Sequence, residues 1–394
     1  MGADCFCTGK LGNINCDPLD QVSIGDVTML IDHLFISGID APGLDEADID
    51  GDSSGVIDLA DVMLLIEYLY ITGEELPDCP PPKDYTAYFW GKVNEGWYFA
   101  YHPTTNELDS FYIPGRGRLS VSADGKLGYR PSGGGYARIV ALDSIENGDT
   151  VPVLANLPLG TVQAASPDGK LLAAIGGVLR IFRTSDYSEL YRDSALVGLV
   201  FSQNSQRLYG FTRGTYHAFR LDLSNNSYSV TTRQFEGYLV GAIVPSPDET
   251  RWYLLLANSV QRVFAVYDVE ADSIIFTEYF WPGGGGLAVT PNGDFAFYTN
   301  PGDMLWGPGD YDLRIYDASK NTVSRMSMYG IFPDLEDTGG LVDFNCVTPD
   351  GRWLVLLCSG YPHAAITVDL GRMSIVHYRR GTQWQEGLAC QVAR

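Results

Sequence analysis

Oxygen-bearing side chains occupy alternate positions in "NINCDPLDQVSIGD" (Asn13 to Asp26) and again, 35 residues on, in "DIDGDSSGVIDLAD" (Asp48 to Asp61). A hard cation such as calcium takes about six to eight oxygens. A short loop supplies them from alternate side chains, a backbone carbonyl and a carboxylate on the first turn of the next helix. The spacing assigns Asn13, Asn15, Asp17 and Asp26 to one ion, and Asp48, Asp50, Asp52 and Asp61 to a second. Asp20 is an extra ligand for the first loop, offsetting the weaker Asn13 and Asn15. Both loops span fourteen residues, against about twelve in the standard calcium loop; both also lack its glycine at position six and close on Asp instead of Glu. An acidic turn that caps a helix is the competing reading for either loop alone. The insertion has equal length in both copies, which keeps the closing Asp in register. Two calcium ions are therefore expected, with the four-aspartate loop binding the tighter.

The elements that carry these ligands repeat as well. Val22/Ile57, Leu30/Leu65, Ile31/Ile66 and Leu34/Leu69 superpose without a gap. Val27, Leu30, Ile31 and Leu34, like Val62, Leu65, Ile66 and Leu69, form an apolar stripe at helical spacing, and each predicted helix stops at a glycine, Gly38 or Gly73. Two loop–helix units, with no helix entering either loop, resemble the type I dockerin module. The resemblance implies two bound calcium ions and a helix face that docks onto a protein partner, a cohesin-like receptor. Where dockerins often carry hydroxyl residues for that contact, just before the closing Asp, this chain has Ile24–Gly25 and Leu59–Ala60. Ile24 and Leu59 are thus the candidate partner-binding residues.

Charge supports a cation-binding segment. The 394 residues carry a net charge of −23, and residues 1–82 hold 17 Asp/Glu against the single basic residue Lys10. Such a surface repels nucleic acid and anionic membranes. The longest apolar run, "VMLLIEYLYI", is interrupted by Glu67, so no membrane insertion is expected. No signal peptide is visible in "MGADCFCTGK". Seven cysteines are an odd number, so they cannot all pair within the chain. Cys5, Cys7, Cys16 and Cys79 flank or enter the acidic segment, and disulfides there fit a secreted or cell-surface protein; Cys346, Cys358 and Cys390 leave the pairing open. "LPDCPPPK" (Leu76–Lys83) breaks the helical pattern with a stiff proline spacer. The expected domains are a calcium-binding module over 1–76, a linker over 77–83 and a β domain over 84–394. Cys79 is placed to clasp Cys5 or Cys7 if the ends of the module meet.

From Asp84 onward the pattern switches to period two. "VSADGKLGY", "ASPDGKLLA", "FSQNSQRLY", "PSPDETRWY", "VTPNGDFAF" and "VTPDGRWLV" are each a strand, a tight turn and another strand. Their turn-opening residues Ser122, Ser166, Ser202, Ser246, Thr290 and Thr348 are spaced 44, 36, 44, 44 and 58 apart. Short strands at this period predict a mainly β fold, a β-propeller. "GLACQVAR" (387–394) matches the first strand of a unit and is expected to join "TAYFWGKV", "WYFAYHP" and "LDSFYI", which makes seven blades. The hairpin-plus-Asp-turn pattern resembles the YVTN and lactonase-like propellers, whose members serve as enzymes, scaffolds and surface-layer proteins.

Catalytic signals are weak. The five histidines show no HExxH or Cys-His spacing, no GxSxG elbow occurs, and "WPGGGG" (Trp281–Gly286) lacks a following GK[ST]. The long unit carries two enlarged loops holding Asp303, Trp306, Asp310, Asp334, Glu336 and Asp337, expected on one rim of one face with Trp281, Arg213 and His363. Solvated acidic loops, a docking patch or a third cation site would each account for them. The sequence thus favours a non-catalytic extracellular assembly protein, its module docking onto a receptor or onto the propeller of a neighbouring copy, which would build a filament. The alternative is a carbohydrate-active propeller enzyme or lactonase anchored by a dockerin–cohesin contact.

Overall fold

The computed structural model describes residues 10–15, 17, 21–37, 46–50, 57–79, 85–90, 96–114, 119–143, 145, 150–193, 196–212, 217–223, 228–258, 261–280, 286–300, 312–327, 342–358, 364–380 and 391–393. The chain folds as two compact units, Met1–Lys83 with Asp369–Ser374 and Asp84–Val368 with Ile375–Arg394.

The fold is mainly β. Among the described residues, 28 strands form seven four-stranded antiparallel sheets. Blade 1 pairs Gln391–Ala393 with Thr86–Trp90, followed by Trp97–His102 and Glu107–Tyr112. Blades 2 to 7 follow in chain order, beginning at Ser120, Thr161, Leu196, Leu239, Leu287 and Val342. Innermost strands touch from blade to blade, and Val342–Val347 touches Gln391–Ala393, so the circle closes. The expected union of chain ends in one blade is observed, and it leaves no open edge at the seam.

The turns show why the repeat takes this form. Ser122 Oγ accepts the Leu127 N–H at 2.9 Å and donates to Asp124 Oδ1 at 2.6 Å. Ser166, Ser202, Ser246, Thr290 and Thr348 accept the equivalent N–H at 2.9–3.1 Å. The fourth turn residue needs a positive φ, which Gly125, Gly169, Gly293 and Gly351 adopt without cost while Ser205 and Glu249 hold it at 61° and 60°. Between these turns, middle strands such as Arg251–Ala257 are buried on both faces by neighbouring blades. Outer strands such as Ser273–Phe280 are largely exposed.

Among its described residues the N-terminal unit has two short α-helices, α1 (Ile24–Ile31), which runs on through a π-helical turn Asp32–Ile36, and α2 (Leu59–Tyr70). Leu11, Ile14, Val27, Leu30, Ile49, Val62, Leu65 and Leu76 form its core. The expected stripe is corrected at Ile66, which is exposed rather than packed. The module's ends meet. Lys10 pairs with Asp78 in an antiparallel bridge, and the Leu11 N–H donates to the Pro77 carbonyl at 2.9 Å. No helix among the described residues is long and apolar enough to cross a membrane.

Candidate metal centre and docking face

Each helix begins with a Ser or Asp that caps it and an Asp three residues on that closes back. Ser23 Oγ accepts the Gly25 N–H at 3.1 Å, and Asp58 Oδ1 accepts the Ala60 N–H at 2.7 Å. Asp26 Oδ2 accepts the Ser23 N–H at 2.7 Å, and Asp61 Oδ2 accepts the Asp58 N–H at 2.8 Å. These are capping boxes. The second oxygen of each buried Asp turns to the loop. Asp26 Oδ1 accepts the Asn15 N–H at 2.8 Å; Asp61 Oδ1 accepts those of Ile49 and Asp50 at 2.7 and 3.1 Å. The loop backbone is therefore wrapped around the closing carboxylate in the same way twice, with Ile14 and Ile49 buried beneath as equivalent anchors.

The two loops differ in what they offer a cation. In the second, carboxylate oxygens of Asp48, Asp50 and Asp61 lie within 4.8 Å of one another. Three such groups repel strongly unless a cation or protons intervene, and carboxylate oxygen is the donor that calcium prefers. In the first loop, Asn13 Oδ1 and Asn15 Oδ1 both accept the Asp17 N–H, at 2.7 and 2.9 Å, and Asn13 Nδ2 donates to the Asp17 carbonyl at 3.0 Å. Its neutral oxygens are already engaged. The donor set fits calcium in the second loop better than in the first. Asp20 and Asp52 lie outside the described residues.

The sequence alone did not single out Glu46. It is buried, and its Oε2 accepts the Asn13 N–H at 2.8 Å, tying the second repeat to the start of the first loop. Aligning the repeats hides it, because its counterpart is the core residue Leu11.

The candidate partner-binding residues Ile24 and Leu59 are 56% and 55% exposed. They head a wider apolar surface. On α2, Leu59, Met63, Ile66 and Tyr70 recur at helical spacing and stay exposed, Met63 and Tyr70 by 62% and 64%. Phe35 and Ile36 follow α1 and are also exposed. The aligned pairs Phe35/Tyr70 and Ile36/Ile71 were the sequence signal for this surface. Asp303, Trp306, Asp310, Asp334, Glu336 and Asp337, with Arg213, Trp281 and His363, lie outside the described residues. The described histidines of the propeller, His102, His217 and His377, stand in three different blades.

Fold and loops together define a seven-bladed β-propeller chain with a small two-helix N-terminal unit. No protein-family model matches it, and no curated protein matches it in sequence. Solved structures do resemble it. A protein from Lactobacillus plantarum is 15% identical, with a TM-score of 0.55, over 79% of this chain and 100% of that one. A proposed 6-phosphogluconolactonase from Bacteroides fragilis is 13% identical, with a TM-score of 0.54, over 80% and 100%. Hydrazine synthase of Kuenenia stuttgartiensis is 14% identical, with a TM-score of 0.52, over 66% and 85%. At these identities the likeness establishes the propeller and nothing of its chemistry.

Proposed function

We propose that the chain is a non-catalytic, calcium-dependent assembly protein of the cell exterior. A dockerin-like N-terminal module is its docking element, and the propeller is its rigid platform. The observation that carries the reading is the convergence of Asp48, Asp50 and Asp61 at the N-terminus of α2, repeated in outline at Asp26. Calcium neutralises these carboxylates and fixes the loop against the first turn of the helix. Binding then stabilises the folded module by mass action.

The exposed Leu59–Met63–Ile66–Tyr70 stripe supports docking, since a folded chain rarely leaves such a row uncovered without a partner. The propeller of a neighbouring copy is the receptor in this reading, and repetition of that heterologous contact builds a filament. A cohesin-like receptor is the other outcome of the test. The bridge of Lys10 with Asp78 brings the module's ends together, and Cys79 packs half-buried against the helix-pair core. Both features support a disulfide between Cys79 and Cys5 or Cys7, which peptide mapping under non-reducing conditions checks.

Isothermal titration of the full chain with calcium tests the metal. The reading expects saturable binding that strengthens the helical circular dichroism signal. A flat titration refutes it.

A further inference from the structure

Blade 2 contains a pair of cations that, among the described residues, no carboxylate reaches. Arg130, in the strand Leu127–Gly133, is fully buried. It stands eight residues after the turn-opening Ser122, and the same place in the other hairpin blades is filled by Ala174, Gly210, Leu254, Tyr298 and Leu356. All five are neutral and buried. Arg138, in the strand Tyr136–Ala141, lies directly opposite Arg130 in the antiparallel register. Like charges facing each other across a sheet are destabilising.

Two other blades show how such an arginine is usually balanced. Arg180, opposite Ala174, donates to the Pro158 carbonyl and to Glu189, both at 2.6 Å. Arg314, opposite Tyr298, donates to Glu278 at 2.6 Å. Arg130 and Arg138 both donate to the Pro114 carbonyl, but among the described residues no carboxylate reaches either. The Nε and Nη2 of Arg130 are buried without an acceptor. The Tyr98 ring lies 6.0 Å from the Arg130 guanidinium, and burial pushes its hydroxyl up to about 12, so it stays neutral and is no counter-ion. The Pro114 carbonyl and the Tyr98 hydroxyl are neutral hydrogen-bond partners, and a buried guanidinium with no opposite charge is costly.

We propose that Arg130 and Arg138 form a binding site for a small-molecule oxyanion, a carboxylate or a phosphate, on the two middle strands of blade 2, beside Pro114 and Tyr98. Such groups match the planar donor fork of arginine. The oxyanion takes the place of the Pro114 carbonyl between the two guanidiniums. Polar groups continue the row: Asn156 lies opposite Arg138, and Ser132 Oγ donates to Asn156 Oδ1 at 2.9 Å. The turn beside it, Gly133–Gly135, is exposed, and a side chain at Gly133 or Gly135 would meet no atom within 4 Å. This leaves room for the rest of a ligand. The site stands independently of the calcium reading.

The test titrates the full chain with inorganic phosphate and, separately, with glucuronate, at ionic strength held constant with sodium chloride. Calorimetry and the unfolding temperature are the readouts. One of the two anions should bind saturably and raise the unfolding temperature, and which one does so names the ligand class. Arg138→Gln, at a half-buried position, should lose the response. Arg130→Leu should lose it too while unfolding no earlier than the parent without anion, because blades 5 and 7 carry Leu at that place. No saturable response to either anion in the parent chain overturns the site. So does an Arg138→Gln chain that responds like the parent, whether or not Arg130→Leu folds.

Discussion

Glu249 of blade 5 reaches back to Arg207 of blade 4, its Oε2 accepting from Nη1 at 2.6 Å. The Tyr209 hydroxyl donates to the same oxygen, and Asn204 Nδ2 donates to Oε1 at 3.0 Å. Glu249 holds a φ of 60°, where most of the equivalent turns use glycine. Two effects compete in Glu249→Gly. Relief of the backbone conformation gains about 1 kcal/mol. Loss of a buried acceptor costs about 3–5 kcal/mol when its partners stay buried, less here because Arg207 is one-third exposed. The expected net is a loss of about 2 kcal/mol, read as a lower urea midpoint. An unchanged or higher midpoint contradicts the latch.

Acid should weaken the propeller through its turns. The Ser122 hydroxyl and the Lys126 amide hold the Asp124 carboxyl below its ordinary value. At Asp168 and Asp248 burial opposes the shift, but hydroxyls of Ser166 and Ser246 and nearby amides outweigh it. A folded pKa below the unfolded value stabilises the fold above the unfolded pKa. That contribution is lost as pH falls from about 4 through the folded value. Urea midpoints should therefore fall below pH 4, and Asp124→Asn should flatten the dependence. A pH-independent midpoint between 5 and 2 would refute the assignment.

Removing the closing carboxylates should separate the two loops. Asp61→Asn is expected to weaken the tighter calcium site by about tenfold or more, roughly 1.4 kcal/mol, and to remove one of the two carboxylate acceptors that Asp61 turns to the Asp58 amide and to the loop. Asp26→Asn should affect binding less, because Asn13 and Asn15 already satisfy Asp17. Calorimetry of both variants decides, and equal losses would contradict the asymmetry.

The apolar stripe should matter for association alone. Met63→Asp and Tyr70→Ser change exposed positions, so the unfolding free energy should move by no more than about 0.5 kcal/mol. Calcium-dependent particles should disappear in both. Particles that persist would place the contact elsewhere.

The propeller was legible because its turns need particular residues. A Ser or Thr whose hydroxyl closes the hairpin, followed by an acceptor and a positive φ, leaves a mark at Ser122 and at each of its equivalents. The carboxylate cluster at the start of α2 was legible from the alternation of acceptors at Asp48, Asp50 and Asp61. Glu46 was not, because it ties two repeats together and belongs to neither pattern. Arg130 was hidden for another reason. Only register places it opposite Arg138, and only the packed structure shows that no carboxylate among the described residues reaches it. Ile66 fitted the periodic stripe but is exposed, since the small core buries only Val62 and Leu65 of the apolar residues of α2.

Sedimentation velocity of the full chain in millimolar calcium, repeated after excess chelator, tests the central claim most directly. The account predicts assemblies larger than one chain in calcium and their return to single chains, with loss of helical signal, in chelator. A single chain in saturating calcium at high concentration would contradict self-assembly through the helix pair.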